Sequence, residues 1–391
     1  MKKKNIAVIG GGASGIAAAI KAAGNGHDVT IYEHTDSLAK KLLITGNGKC
    51  NFSNRDTGTG HYHSLTDKGQ TAGVFSRFSP EFTTGFLEDL GLFIKEKEGR
   101  LYPLTDSSKT VLNLLKLELK RLDVKVMLKS RVTKLDPAGA VNGKKYDTVI
   151  AAAGGKSFAK TGSDGSGFEL LRSLGIKITE PLPALVPVPV VEDVSALKGV
   201  RCRAGLKLFI DGIYTASSQG ELQPYEKGLS GICAMDVSGE AARAVFNGKK
   251  AEIECDYFPD LSEEELSEYF GDISGKFPAR SLKEISGGLF CDKLLNYLIH
   301  PVDTRNKDCL EVFINRIKHS RYTVDKRITG DFTYAQVTSG GVSFDEINED
   351  LSLKKYPAIR VCGELLDIYG DCGGYNLQWA LSSGFAAGDI K

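Results

Sequence analysis

Apolar residues fill Ile6–Ile9 without a polar interruption, give way to glycine at Gly10–Gly12, and resume as Ile16-Ala17-Ala18-Ala19-Ile20. A short unbroken apolar run is the pattern of a strand buried on both faces, and the small residues after it predict a helix from Ile16 to about Ala23. Gly24-Asn25-Gly26-His27 supplies a turn, and Asp28-Val29-Thr30-Ile31-Tyr32 predicts a second strand ending at Glu33. Val124–Leu128 predicts another, as does a hairpin at Asn142-Gly143 whose second arm, Tyr146–Ile150, continues into Ala151-Ala152-Ala153-Gly154-Gly155. A last strand at 359–362, a glycine-rich loop and a closing helix end the chain.

The middle of the chain has a different texture. Pro181, Pro183, Pro187 and Pro189 punctuate an apolar stretch and predict a linker. Turn-bounded strands are expected at Leu206–Ile210 and Ala251–Cys255. Ser262 with Glu265 then predicts a capping box, which opens a helical stretch that reaches about Ser320 with interruptions. The chain returns through Tyr334–Val342.

Composition narrows the class. A length of 391 residues favours two or three domains. Fifty basic against forty-nine acidic residues leave a formal charge of +1, so no global field recruits nucleic acid or anionic membrane. Neither partner is expected, and the oligomeric state stays open. No run of about eighteen apolar residues predicts a membrane helix. Lys2, Lys3 and Lys4 before a small-residue apolar stretch mimic a signal peptide, but glycines interrupt that stretch and Lys21 follows it. The segment is therefore expected to be retained and the protein cytoplasmic. The eight cysteines show no C-x-x-C spacing and read as reduced thiols, with the role of Cys362 and Cys372 open.

The first glycine run carries the chemistry. Gly10, Gly12 and Gly15 form G-x-G-x-x-G between a strand and a helix, with Ala13 and Ser14 inside it and Glu33 eighteen residues past Gly15. This is the cradle of a dinucleotide: a tight turn, a close approach to phosphate, tight helix packing, and a carboxylate for a ribose. Phosphate charge would meet the amino end of the helix. Glu33 disfavours a 2′-phosphate, but the pattern alone does not separate NAD from FAD. A second stretch, Lys40–Asn51, adds Lys41, Gly46, Gly48, Lys49, Cys50 and Asn51, and a stretch like this so soon after the first points to the longer reach of a flavin. Ser130-Arg131-Val132 offers backbone groups to an adenine edge.

Three tempting features take plain readings. Gly162–Gly167 imitates a second fingerprint with the wrong spacing, and is read as a loop packed beside the cofactor. His61-Tyr62-His63 is read as a solvated loop, so no metal is expected. Arg100 and Tyr102, in Gly99–Pro103, are the candidate substrate-facing pair, and no catalytic acid is assigned.

The runs K-K-L-L-I-T-G-N-G-K-C-N, A-A-A-G-G, T-S-G-G-V at 338–342 and C-G-E-L-L-D-I-Y-G-D-C-G-G-Y-N-L-Q-W-A resemble, nearly end to end, a family of bacterial FAD-dependent oxidoreductases that includes aminoacetone oxidase and the bile-acid-operon flavin enone reductase. The resemblance implies an α/β fold. A Rossmann-like FAD domain of glutathione-reductase type would span 1–185 and 335–391, a β-rich substrate domain 186–260 and 321–334, and a nested helical insertion 261–320. Motif matching also implies that FAD is held by Gly10, Gly12, Ala13, Ser14, Gly15, Glu33, His34, Lys41, Gly46, Gly48, Lys49, Cys50, Asn51, Val132, Ala153, Gly154, Gly155, Gly363, Glu364, Asp371, Gly373, Gly374, Tyr375, Asn376 and Leu377. The expected reaction is reduction of an activated C=C bond in a small molecule by transient NADH or NADPH. Amine oxidation with oxygen, RNA modification and a non-enzymatic flavin sensor are the alternatives.

Overall fold

Ile6, Ala7, Val8 and Ile9 are buried at the middle of a five-stranded sheet. The strand order is Ile359–Val361, Thr148–Ala151, Asn5–Ile9, Asp28–Tyr32, Lys125–Met127, and every pairing is parallel. The chain leaves the central strand toward one side and later returns on the other. The carboxyl end of Asn5–Ile9 therefore lies where the strand order reverses, the place at which open parallel sheets bind ligands. The computed structural model describes residues 2–302, 308–330 and 332–391. Residues 303–307 of the expected helical insertion and residue 331 of the expected β-rich domain lie outside the described residues.

Two units divide the chain, Met1–Leu182 with Phe332–Lys391, and Pro183–Asp331. The first unit is closed by its two ends. Its first helix, Ala13–Gly24, is rich in alanine, and its last, Tyr375–Gly388, carries Gly384 and Gly388 against it. A Cβ on Gly384 would fall 2.4 Å from the Ser14 carbonyl oxygen, and one on Gly388 would fall 2.3 Å from that of Ala18. Both contacts advance by four residues in the same sense, so the helices run parallel with their backbones in contact. The last helix begins about eight residues, roughly 12 Å at 1.5 Å per residue, ahead of the first.

The second unit is an antiparallel sheet ordered Ile213–Leu222, Cys202–Ile210, Ala251–Asp256, Ser320–Thr323. Helix Ile232–Phe246 belongs to this unit. The capping box forms as the sequence predicts: Ser262 Oγ accepts from the Glu265 amide at 3.2 Å, and Glu265 Oε2 accepts from the Ser262 amide at 2.7 Å. Helices Glu263–Lys276, Asp292–Ile299 and Cys309–Lys318 bury Phe270, Leu298 and Phe313 among their apolar residues.

Two local expectations are corrected. The proline-marked linker is partly strand: Pro181 and Pro183 lie in Ile178–Ala184, and Pro189 lies in Val188–Pro189, each in a two-stranded sheet where a missing amide is tolerated. The Asn142-Gly143 hairpin is also shorter than expected. It joins Ala140–Val141 to Lys144–Lys145, and Thr148–Ala151 is a separate strand of the parallel sheet.

The glycine contact sets a stability test. Gly384→Val is expected to destabilise the protein by about 3 kcal/mol or more, because backbone rather than a movable side chain blocks the new methyl groups. Gly85→Ala, in helix Pro80–Asp89 with no atom within 4 Å of the added Cβ, is expected to stabilise by about 0.5–1 kcal/mol. Urea unfolding midpoints of the two variants check both signs.

Candidate functional site

The three glycines of the first turn have three separate tasks. Gly10 adopts φ +104°, and a Cβ there would lie 2.4 Å from the Ala152 carbonyl oxygen. A Cβ on Gly15 would lie 2.0 Å from the Gly10 carbonyl oxygen, so turn and helix pack backbone on backbone. Gly12 is different: its backbone is extended (φ −76°, ψ −176°) and an added Cβ meets no protein atom within 4 Å. It caps a helix whose first turn has neither an acidic residue nor a side-chain cap. Helix N–H groups and the dipole there favour an anion.

Glu33 fastens this turn. Its carboxylate accepts from the Gly11 amide at 2.8 Å and from the Thr35 amide at 2.7 Å, and it is buried. Each oxygen keeps a second lone pair for a ribose hydroxyl. The segment leading to Val132 is zipped alongside, with the Ser130 amide on the Glu33 carbonyl at 2.8 Å. His34 lies between Glu33 and Asp164, at 3.5 and 4.0 Å. Arg131 reaches Asp164 as well, at 2.9 Å.

Gly162–Gly167 closes the same region rather than building a second cradle. The Gly165 amide donates to the Gly155 carbonyl at 3.0 Å, and a Cβ on Gly167 would lie 2.7 Å from that of Ala153. Gly154 takes φ +75° with Ser163 Oγ 3.0 Å from its notional Cβ, and that buried hydroxyl has no protein partner.

A second centre is assembled from distant segments. Lys41 Nζ donates to Glu364 Oε2 at 2.7 Å, while Glu364 Oε1 accepts from the Thr338 amide at 2.9 Å. The Thr338 hydroxyl accepts from the Lys156 amide at 2.8 Å. Gly155 is obligatory beside them, since its Cβ would stand 2.4 Å from the Thr338 hydroxyl and 2.6 Å from Glu364. Gly363 abuts the first cradle, with a notional Cβ 2.4 Å from Ser14 Oγ.

The Lys40–Asn51 stretch contains helix Lys40–Ile44 and a tight 3₁₀ turn. Gly46, Asn47, Gly48 and Cys50 all have positive φ there. Lys49 is exposed and Cys50 buried, and burial pushes the Cys50 thiol up to about 12, which leaves it un-ionised at neutral pH. Cys362 is likewise buried and pushed up to about 12, and neither it nor Cys372 forms a disulfide.

Asn51 and Asn54 lead to the amino end of the last helix. Asn54 donates to the Gly373 carbonyl at 3.0 Å, and a Cβ on Gly374 would meet the Ser53 carbonyl oxygen at 2.5 Å and Asn51 Oδ1 at 2.8 Å. Asn51 Oδ1 is buried without a protein partner. Asn376 holds the loop by accepting from the Gly370 amide at 2.8 Å and donating to its carbonyl at 2.7 Å. Tyr375 and Leu377 are buried in the first turn of this helix, which also lacks a side-chain cap.

Arg100 and Tyr102 lie on one half-buried face of the strand Arg100–Pro103, alternating with buried Leu101 and Pro103. Arg100 sits opposite Asn54 and Tyr102 opposite Lys95. One expectation changes here. The Asp371 carboxylate engages His61 Nδ1 at 3.0 Å and His63 Nε2 at 2.6 Å. His61-Tyr62-His63 is not a solvated loop, since Tyr62–His63 pairs with Tyr369–Gly370. Asn54 and Lys156 carried no signal in the sequence, whereas Thr338 lies inside T-S-G-G-V and Ser163 inside the Gly162–Gly167 loop.

An FAD-shaped ligand fits this donor set. Two helix ends lack a side-chain cap, Gly12 leaves room at the first, Lys41 and Glu364 offer an ammonium and a carboxylate, and Ser163 Oγ and Asn51 Oδ1 are buried with no partner among the described residues.

The family model described as HI0933-like protein Rossmann domain matches residues 4–390. The chain is 35% identical over 402 residues to a 3-dehydro-bile acid delta(4,6)-reductase of Clostridium scindens, covering 98% of both chains. It is 26% identical to a ribosomal RNA dihydrouridine synthase of Haemophilus influenzae, covering 97% of this chain and 96% of that one. To the Escherichia coli protein of the same description it is 24% identical, covering 99% and 97%. With a match that leaves out only a few terminal residues and a sheet that reverses order beside the G-x-G-x-x-G turn, the chain belongs to the HI0933-like Rossmann family.

Proposed function

We propose that this FAD-dependent oxidoreductase reduces a C=C bond conjugated to a carbonyl, with electrons from NADH or NADPH. The observation that carries the reading is the combination of two uncapped helix ends in one unit with full-length likeness to a delta(4,6)-reductase. The other relatives are named for making dihydrouridine. Uracil also carries its C=C bond next to a carbonyl, so both names denote saturation of the same bond type.

FAD, when bound, supplies hydride acceptance and donation at the flavin N5. The chain's residues do the rest. Gly12, Ala13, Ser14 and Gly15 hold the pyrophosphate at the first helix end, and Glu33, His34, Val132 and Ala153–Gly155 hold the adenosine. Lys41 and Glu364 hold the ribityl hydroxyls. Gly46–Asn51 and Gly373–Leu377 would hold the ring, and the uncapped second helix end would stabilise negative charge there. Arg100 orients the substrate carbonyl or a carboxylate, and Tyr102 stands as the nearby proton donor. Only one dinucleotide cradle is built among the described residues, so the nicotinamide donor shares the space taken next by the oxidising substrate.

A nucleobase substrate is the second reading, favoured by the two dihydrouridine synthase relatives. Retention on ribosomal RNA that falls steeply with salt supports it, and salt-insensitive absence of binding removes it.

The cradle gives a clean pair of variants. Gly12→Val is expected to fold with stability within about 0.5 kcal/mol of the FAD-free wild type, yet to lose FAD, because nothing in the protein opposes the new side chain. Gly15→Val is expected to lose stability itself. Thermal unfolding and flavin absorbance on the same samples separate the two.

For the reaction, anaerobic mixing with NADH or NADPH is expected to bleach the flavin, and a conjugated enone to restore it. Steady-state plots should give parallel lines, with each substrate competing at high concentration. Arg100→Ala is expected to raise KM for the enone, and Tyr102→Phe to lower kcat by roughly 10²-fold, the scale of one proton-transfer residue. Failure of both nucleotides to bleach the flavin contradicts the reductase reading and favours a substrate amine as the electron source.

A further inference from the structure

His61 sits between two carboxylates. Its Nδ1 is 3.0 Å from Asp371 Oδ2 and its Nε2 is 2.9 Å from Asp56 Oδ2. A neutral imidazole has one N–H, so it donates to one carboxylate and turns a lone pair toward the other; only the imidazolium satisfies both. His63, two residues on and in the short strand Tyr62–His63, reaches the same carboxylate, with Nε2 2.6 Å from the other Asp371 oxygen. The rings are fixed by stacking, His61 on Tyr375 at 4.4 Å and His63 on Tyr369 at 4.9 Å between centroids.

This cluster grips one particular turn. The Asp371 amide donates to the His61 carbonyl at 3.0 Å, and Asp371 is followed by Cys372, Gly373 and Gly374, the last of which caps the final helix. The titratable groups around the cluster include Asp56 from the loop after Ser53–Asn54, Asp371 from the turn, and the phenols of Tyr369, Tyr375 and Tyr62. Tyr62 donates to the Tyr375 carbonyl at 3.1 Å. Nothing in the proposed reaction uses His61 or His63.

We propose that His61 is a protonation-gated positioning residue: as an imidazolium it bridges Asp56 to Asp371 and, with His63, pins the Gly370–Gly374 turn in the form that receives the flavin. The proposal rests on the flavin reading of the last helix's amino end. Partial burial alone would lower the His61 pKa, but its hydrogen bonds to Asp56 and Asp371 outweigh that and hold it above the ordinary imidazole value. A group raised in the folded state contributes fully below its unfolded pKa and loses that contribution as pH rises through the folded one. Because the imidazolium is the form that bridges Asp56 to Asp371 and holds the turn for the flavin, FAD binding should weaken as pH rises through the His61 midpoint.

The test measures FAD release from the purified protein by recovery of free-flavin fluorescence across the neutral pH range, alongside NMR titration of the histidine side chains. The wild-type Kd for FAD is expected to rise roughly 3- to 10-fold as pH passes through the His61 midpoint, the scale of one charged hydrogen bond. His61→Gln, whose amide donates well to one carboxylate only, and Asp371→Asn are expected to start at the weaker value and to flatten the profile. By linkage, FAD should shift the His61 midpoint upward. A flat wild-type profile, or a His61 midpoint at or below that of free imidazole, overturns the proposal while leaving the flavin reading intact. Failure of the wild type to retain FAD at any pH contradicts the flavin reading instead, and the His61 midpoint alone then decides the bridge: raised for it, ordinary against it.

Discussion

The backbone contact between the first and last helices is the constraint on which the site depends. Gly384 and Gly388 lie against the carbonyls of Ser14 and Ala18, so two parallel helices from opposite chain ends are locked in one stagger. Each begins at a glycine without a side-chain cap, and the stagger sets two positive helix ends about 12 Å apart along a common direction. One end follows the central strand of the sheet and the other follows the Gly370–Gly374 turn. Any side chain at those two glycines pushes the ends apart before it affects anything else.

Between the ends, carboxylates act as structural ties as much as ligands. Glu33 joins two backbone turns before it can meet a ribose, and Glu364 joins Lys41 to Thr338. Residues of this kind preorganise the site, because their hydrogen bonds fix the loops that a cofactor would otherwise have to order. The same arrangement leaves Ser163 Oγ and Asn51 Oδ1 buried and unmatched within the protein. Isolated buried acceptors are costly, which is why their placement at opposite parts of the site points to a ligand with polar atoms at both.

What the sequence made legible was local. The strand, turn and helix around Gly10–Gly15 are encoded by neighbours, as is the Ser262–Glu265 capping box, so pattern alone located them. Glu364 lies more than three hundred positions from Lys41, and Asp371 more than three hundred from His61 and His63, and no spacing rule reaches that far. His61-Tyr62-His63 looked solvated because its pairing strand and its carboxylate both come from the C-terminal segment. The prolines at 181–189 misled for a related reason: proline disfavours a central strand, but these strands have only one neighbour each. The Lys40–Asn51 stretch showed its glycines plainly, whereas the positive φ of Asn47 and Cys50 follows from the packing of the turn.

The central claim is that the two helix ends together hold one flavin dinucleotide. Chromatography of the cofactor released by denaturing freshly purified protein tests it most directly. The account requires a yellow protein that releases intact FAD in near-stoichiometric amount. Release of FMN alone, or of a nicotinamide dinucleotide in place of a flavin, would contradict it, because the first would leave the Gly10–Gly15 cradle without a ligand and the second would leave the Gly373–Gly374 end without one.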